Sequence, residues 1–487
     1  MTPSKKQSMI FFTAYYAAAN YISQGLGIIT SILLRRFIGP EGMGVWSLFQ
    51  VLLGYCGYAS LGTSKALMRD YPYYRGKGED SRAEKLKDLV LTFSILGSAV
   101  PFLLILGYYA INHSHLNHAL SVGLLFLSVF LFAQRFYDLL QTLLRCDKKF
   151  ITLSKLIVLN AAGSLIFSLL LVSRWNIYGL YAGTAIMTVI SILFIQKESH
   201  YTFRPYWNTQ SLLRELKLGI PLLAGTFMLE FLKSMDKLLI AKKLGFYDVG
   251  IYSISMMVSS YIFSLPMMFA HVWFPHLQEK FGENECAKAI QNYLTKPAMI
   301  LSIVVPALCG YAIYTMPLII HFFIPKFING LLPMKIYLAG TFFLLLAQFS
   351  TSFLVTLDKF LISIPILIVS IVVNFILNTI LLQNGYGLTG IAIGTSVSFC
   401  VYGLLMYTAA LKTFFSIKNL CYELLKLTLK LLLLTAAIVT FDHSFSQNLV
   451  IAAIIKCGLL TVMLVPFLIY LEKKTMIFSE TLKTFRK

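Results

Sequence analysis

Charge is scarce in this chain: only 13% of its 487 residues are Asp, Glu, Lys or Arg, against 57% that are hydrophobic. A soluble globular domain carries about 25% charged residues, so this balance excludes an ordinary solvated protein. Metal-ligand patterns are missing as well. The seven cysteines, Cys56, Cys146, Cys286, Cys309, Cys400, Cys421 and Cys457, are scattered without ligand spacing and read as small hydrophobes. His113, His115 and His118 are loosely spaced among Asn and Ser, which favours a polar loop over a metal site. No Gly-rich loop ending in Gly-Lys-Ser/Thr occurs, so the chain carries no sign of its own ATPase. No catalytic constellation is visible, and neither an enzyme nor a cofactor is expected.

What is abundant is apolar sequence in runs of about 20 residues, the length that crosses a bilayer core. These runs lie near 13–34, 44–64, 88–111, 119–142, 152–173, 178–196, 219–240, 249–271, 297–317, 335–356, 361–382, 387–410, 428–441 and 449–471. The expected protein is an all-α integral membrane protein with about fourteen transmembrane helices. With the N-terminus inside, and with Lys155 and Lys430 at span edges counted as cytoplasmic and Lys335 as outer, 30 of the 41 Lys/Arg fall in cytoplasmic segments, 7 in outer loops and 4 within spans. Positive residues are retained on the cytoplasmic side, so both termini are expected there. The formal charge of +20 follows from topology and contact with anionic lipid head groups, and implies no nucleic acid. Met1 to Lys6 and Ala17-Ala18-Ala19 have the outline of a cleavable leader, but the polar Asn20 and Gln24 favour a retained first span.

Residues 35–48, RRFIGPEGMGVWSL, return 206 positions later as AKKLGFYDVGIYSI, residues 241–254. The match sets Gly39 on Gly245, Gly44 on Gly250, Ser47 on Ser253, Arg36 on Lys242 and Trp46 on Tyr252. A weaker echo repeats Tyr178-Gly179-Leu180 as Tyr386-Gly387-Leu388, and Asp147-Lys148 as Asp358-Lys359. Six spans separate the repeat anchors, an even number, so the copies enter the membrane in the same sense and are parallel repeats. The expected organisation is a six-helix bundle at 1–205, a second at 206–412, and two further helices with a cytoplasmic tail at 413–487. Between Pro205 and Lys217, Leu212, Leu213 and Leu216 oppose Arg214, Glu215 and Lys217, which suits either a surface amphipathic helix or a solvated loop. Pro221, Pro266, Pro306 and Pro365 are candidate bending points.

The segment Arg35 to Gly44 resembles the one that follows the first span in Wzx-type polysaccharide flippases, of the MATE-like multidrug/oligosaccharidyl-lipid/polysaccharide (MOP) exporter superfamily. Leu212 to Tyr252, with Gly219-Ile220-Pro221, Asp236, Leu244-Gly245 and Gly250-Ile251-Tyr252, is similar to the seventh span and following loop of that family. The resemblance implies a flippase of the cytoplasmic (inner) membrane. It would move undecaprenyl-pyrophosphate-linked oligosaccharide repeat units from the inner to the outer leaflet, between two six-helix bundles. Such a protein serves O-antigen, capsule or exopolysaccharide synthesis alongside a polysaccharide polymerase and chain-length machinery. A lipid II flippase and a cation-coupled multidrug exporter share the fold and stay open as alternatives.

The repeat also indicates which helix faces carry function. Asn20, Gln24, Gly27 and Ser31 fall at i, i+4, i+7 and i+11 of the first span. Shifted by 206 they land on Thr226, Glu230, Lys233 and Lys237 of the seventh. A stripe polar in one copy and charged in the other is unsuited to lipid, because each central Lys or Asp costs roughly 2.5–3.5 kcal/mol by insertion scales. Lys233, Glu230 and Lys237 are therefore candidate cavity residues, with mutual neutralisation of Glu230 and Lys233 and snorkelling of Lys237 as the alternatives. Asp236, off the stripe, is a partner for Lys233 or, with Glu230, a coupling group. Arg135 offers the planar fork that suits pyrophosphate, or a clasp to Asp138. Arg36 and Lys242 are expected near the outer mouth. Asn160, Ser164 and Ser168 correspond, at an offset of 210, to Ser370, Asn374 and Asn378, a neutral stripe suited to sugars or to interhelical hydrogen bonding.

Overall fold

The computed structural model describes residues 3–284, 288, 290–443 and 448–475. Cys286, positions 444–447 of the last outer loop and positions 476–487 of the tail lie outside the described residues. Among the described residues there are fourteen α-helices and no strand. They are α1 Pro3–Gly57, α2 Thr63–Gly76, α3 Asp80–Asn112, α4 His118–Cys146, α5 Phe150–Phe167, α6 Ser173–Ser199 and α7 Thr209–Lys243. Then follow α8 Phe246–Asn284, α9 Asn292–Phe323, α10 Leu331–Thr356, α11 Ser363–Gln383, α12 Gly387–Leu411, α13 Ile417–His443 and α14 Leu449–Thr475. Hydrocarbon offers no partner for a bare peptide group, so apolar runs of this length close their hydrogen bonds within the helix.

Among the described residues, eleven helical stretches are long and apolar enough to cross a membrane, or twelve if Thr209–Pro221 and Leu223–Lys243, bent by 44°, form one span. Two of the eleven, Tyr15–Ser60 and Phe150–Ser199, are 46 and 50 residues long. One crossing takes about 20 residues, so the tally is compatible with the fourteen expected. The breaks inside these long stretches have identifiable causes. In α1 the chain turns at Gly39, whose φ of 74° and ψ of −179° suit glycine, directly before Pro40. Its repeat mate Gly245 also has positive φ, at 102°. A π-helical turn at Ser168–Val172 separates α5 from α6, and the non-helical Asn176 breaks the first turn of α6.

The repeated glycines also permit a close approach. A Cβ on Gly44 would lie 1.8 Å from the carbonyl oxygen of Phe246, and one on Gly250 would lie 1.7 Å from that of Pro40. The two contacts are each other's image, since 206 positions separate Pro40 from Phe246 and Gly44 from Gly250.

Two compact units form, the first from Met1–Glu230 and Lys237–Gly250, the second from Phe231–Asp236 and Ile251–Lys487. In the first, α1 packs on α4, α5 and α6, and α2 on α3. Its buried side chains gather around Leu67, Tyr71, Leu140, Leu143 and Ile195, and around Val45, Phe49, Leu127 and Tyr181. In the second, α10 packs on α9 and α12, α11 packs on α12, and α13 and α14 cover α9. Leu434 and Ile438 of α13 and Leu460 and Leu464 of α14 meet Tyr314 there.

The segment after α6 is strapped to the first unit. Tyr201 donates to Asp147 Oδ2 at 2.7 Å, the Arg204 amide to Asp88 Oδ1 at 3.2 Å and the Tyr206 amide to Thr92 Oγ1 at 3.2 Å. Lys87, 2% exposed, pairs with Glu84 and donates to the Thr202 carbonyl, with the Phe203 ring 5.0 Å away. Burial and then the Asp147 carboxylate push the Tyr201 hydroxyl well above its ordinary pKa, so it stays a donor. Of the two readings for 205–217, the helix is found. It starts at Thr209 under an Asn208 cap that accepts from the Ser211 amide at 2.8 Å, and continues into α7. Its faces are not the expected ones, for Glu215 is 2% exposed and Leu213 60%.

Candidate functional site

Within the first unit, the end of α1, the start of α2, α4 and the middle of α7 bring a polar and aromatic cluster together. Arg135 pairs with Asp138 at 3.0 Å, and Gln134 donates to the same carboxylate at 2.9 Å. The clasp and the cation role are thus compatible: the guanidinium is largely buried while Asp138 is 43% exposed. Gly57 makes room for the fork, since a Cβ there would lie 3.1 Å from Arg135 Nη1.

One residue on, Tyr58 donates to the Thr226 carbonyl at 3.3 Å and meets the Phe227 ring edge-on at 5.1 Å. Tyr55 reaches the same ring at 5.9 Å. Lys65 donates to Thr226 Oγ1 at 2.7 Å, and burial lowers the pKa of its ammonium. Thr226 and Glu230 are both exposed, one turn apart on α7. Lys65 and the two tyrosines had no sequence signal beyond their place at the end of the second span, because long-range contacts to Thr226 and Phe227 set their role.

On α1, Asn20 donates to the Tyr16 carbonyl at 2.7 Å, and Asn20, Gln24 and Ser31 are half-buried. The stripe extends one turn further than expected. Arg35, four residues after Ser31 and only 5% exposed, donates to Ser31 Oγ and to its carbonyl. Its neighbour Arg36, chosen from sequence through its match to Lys242, is exposed, as is Lys242. The i+4 spacing from Ser31 was the signal that singles out Arg35. Lys237 is half-buried.

In the second unit, the Lys233 ammonium lies 5.0 Å from the Phe263 ring centre. Asp236 is fully buried, and the buried Tyr252 hydroxyl lies within reach of it and of Thr395. Asn374 and Asn378, expected at the cargo, sit instead in a closed interior with no exposed surface. Asn374 donates to Ser398 Oγ at 2.9 Å, and Asn378 donates to Asn374 Oδ1 at 3.0 Å. Asn378 also reaches Thr395 Oγ1 at 3.5 Å, while its own Oδ1 is buried without a hydrogen-bond donor. The amides thus bind α11 to α12, and Thr395 and then Tyr252 lie between them and the Asp236 carboxylate. Lys456 joins no cluster of this kind; it donates to the Asp442 carbonyl at 2.6 Å and so ties α14 to α13. No group of three or more His, Cys, Asp or Glu that could hold a metal occurs among the described residues.

Long apolar helices, an internal duplication and polar side chains buried among them define a polytopic membrane protein. The fold is similar to that of a multidrug resistance MATE family transporter of the MOP superfamily in an inward-facing conformation. That likeness has a TM-score of 0.63 and 13% identity, and covers 85% of this chain and 98% of that one. Lipid II flippase MurJ, in an inward closed conformation, is similar with a TM-score of 0.65 and 18% identity, covering 93% of this chain and 99% of that one. The chain belongs to the polysaccharide biosynthesis protein family, whose model matches residues 33–328. A relative, the probable low-salt glycan biosynthesis flippase Agl15 of Haloferax volcanii, is 26% identical over 412 residues, covering 82% of this chain and 83% of that protein. The chain is accordingly a multi-pass membrane protein of the polysaccharide biosynthesis family, with the fold that MATE transporters and MurJ share.

Proposed function

We propose that this chain flips undecaprenyl-pyrophosphate-linked oligosaccharide repeat units from the inner to the outer leaflet of the cytoplasmic membrane, with both termini in the cytoplasm. The observation that carries the reading is the cluster of Arg135, Tyr58, Lys65 and Thr226. A pyrophosphate asks for a bidentate fork and a second cation, which Arg135 and Lys65 offer. A sugar asks for hydroxyl and aromatic surface, which Thr226, Tyr55, Tyr58 and Phe227 offer. Glu230, Gln24 and Asn20 border the route on α7 and α1, while Lys233 and Lys237 add positive charge further along α7. Outward transfer of one negative charge gains roughly 2.3 kcal/mol per 100 mV of inside-negative potential. The bundles 1–205 and 206–412 are the repeating halves of this transporter, with 413–487 appended. A polysaccharide polymerase and chain-length machinery are its working partners.

For coupling, Asp236 is the stronger of the two candidates, because Glu230 is exposed. Oxygen atoms of Asp236, Tyr252 and Thr395 lie close together in a closed interior, the chemistry of a proton or sodium ion rather than of a sugar.

The test is flipping of a pyrophosphate-linked glycan in vesicles, with lipid II as a second cargo. Arg135→Lys keeps charge but loses the fork, and is expected to slow flipping about tenfold, the equivalent of 1.4 kcal/mol, at unchanged abundance. An Arg135→Gln variant that flips at the parental rate would remove the cation from the mechanism. Faster transfer of lipid II than of the glycan would assign the protein to the peptidoglycan precursor instead.

A further inference from the structure

A polar recess lies wholly within the second unit, lined by none of the residues of the Arg135 or Asp236 clusters. The N-terminal turns of α9 and α13 and the end of α12 enclose a cavity of about 300 Å³. Three lysines line it, Lys296 from α9 and Lys426 and Lys430 from α13, together with Asn292, Thr295 and a single acid, Glu423. Glu423 and Lys426 are paired at 3.2 Å, so three positive charges and one negative leave a net charge of +2 in a partly enclosed space. At roughly 30 Å³ per water molecule, the recess has room for a phosphate group and the polar atoms beside it.

The lysines lie where α9 and α13 begin and α12 ends, so they share one end of the unit. The Lys/Arg distribution assigns that end to the cytoplasm. On α13 the cavity face is formed by Glu423, Lys426, Leu427 and Lys430, the i, i+3, i+4 and i+7 pattern of one helix face. Immediately beside it runs an apolar strip. Tyr422, Leu425, Leu429 and Leu432 are 64%, 66%, 54% and 63% exposed. A free anion has no use for that strip. A molecule with a phosphate head and hydrocarbon tails fits both at once, the head in the recess and a tail along α13.

We infer that this recess binds the phosphate head group of an anionic phospholipid, as a site separate from the transport route. The tail lies on the strip from Tyr422 to Leu432, and the lysines neutralise the phosphate in a setting less screened than an open surface. α13 and α14 pack on α9, so an occupied site fastens the two additional helices to the unit at its cytoplasmic end. The inference stands whatever the cargo.

The test uses the full chain, purified in detergent, with phosphatidylglycerol, phosphatidylcholine or inorganic phosphate added, and native mass spectrometry to count bound copies. Phosphatidylglycerol is expected to bind at least tenfold tighter than phosphatidylcholine. Replacing all three lysines by Gln should remove that preference, and replacing all three by Arg should keep it. Glu423→Gln, which frees Lys426, should raise phosphatidylglycerol binding severalfold. Equal retention of both lipids, or undiminished phosphatidylglycerol binding by the triple Gln variant, overturns the proposal. Competition by millimolar inorganic phosphate at equal affinity would make the site one for a free anion and overturn the lipid assignment. If the triple Gln variant does not fold, Lys296→Gln alone decides: binding weakened severalfold supports the site, and unchanged binding overturns it.

Discussion

Asp236 has no exposed surface on a helix that also carries Lys233 and Lys237. A buried carboxylate in an apolar bundle is costly unless polar atoms lie near it, and the Tyr252 hydroxyl, itself beside Thr395, is within reach. If that cluster takes up a coupling cation, Asp236→Asn preserves shape while removing the charge that holds it. The parent protein should then unfold at a higher temperature in sodium than in choline chloride, and Asp236→Asn should show no such difference and flip at least tenfold more slowly. A sodium shift retained in full by the variant would exclude the cluster as the coupling site. Asp236, Arg135 and the Asn20 to Ser31 stripe were legible in sequence because an ionisable or repeated polar group in an apolar run stands out by itself. Lys65, Tyr55 and Tyr58 were not, since their meaning comes from Thr226 and Phe227, more than 160 positions away. Asn374 and Asn378 were visible as a polar pair, but the period of a helix cannot tell a cavity from a packed neighbour. Their partners on α12 decide that.

Helix identity followed directly from apolar run length, and the helix ends followed less well. The spans expected at 13–34 and 44–64 belong to one stretch turned at Gly39, and Pro221 is the nominated proline at which a 44° bend is found. Such joints depend on a single backbone torsion, which hydropathy does not sense. Both echoed Asp-Lys pairs carry a positive φ, but on different members, Lys148 at 57° and Asp358 at 58°, so the matched letters do not mark the residue that turns. The last two helices are held differently, by an ion cluster in which Asp442 of α13 faces Lys335 of α10 and Lys456 of α14. Asp442→Ala leaves two lysines with 30% and 10% side-chain exposure facing each other. Stability should fall by about 3 kcal/mol, the low end for a broken buried pair. Adding Lys456→Met should recover most of it, read as the unfolding midpoint in detergent. A double variant no better than the single one would mean that Asp442 serves packing and not charge.

For the whole molecule, orientation is the property most open to a direct measurement. In a background without cysteine, a single cysteine at Ser114 should react with a membrane-impermeant thiol reagent on intact cells. One at Trp207, 51% exposed in the strapped segment, should react only after the membrane is opened. The reverse pattern would invert the protein and with it the direction of transfer. The reciprocal approach of Gly44 to Phe246 and of Gly250 to Pro40 bears on how such a molecule arises. A contact in which one position meets a second, and the equivalent of the second meets the equivalent of the first, is what two identical subunits make across a two-fold axis. Here a single polypeptide makes it with itself. A half-length ancestor with one copy of the segment would already hold both faces of that contact, so pairing of separate chains is a sufficient starting point. Gene fusion then changes the connectivity and the local concentration of the partner, while the surface that pairs is left as it was.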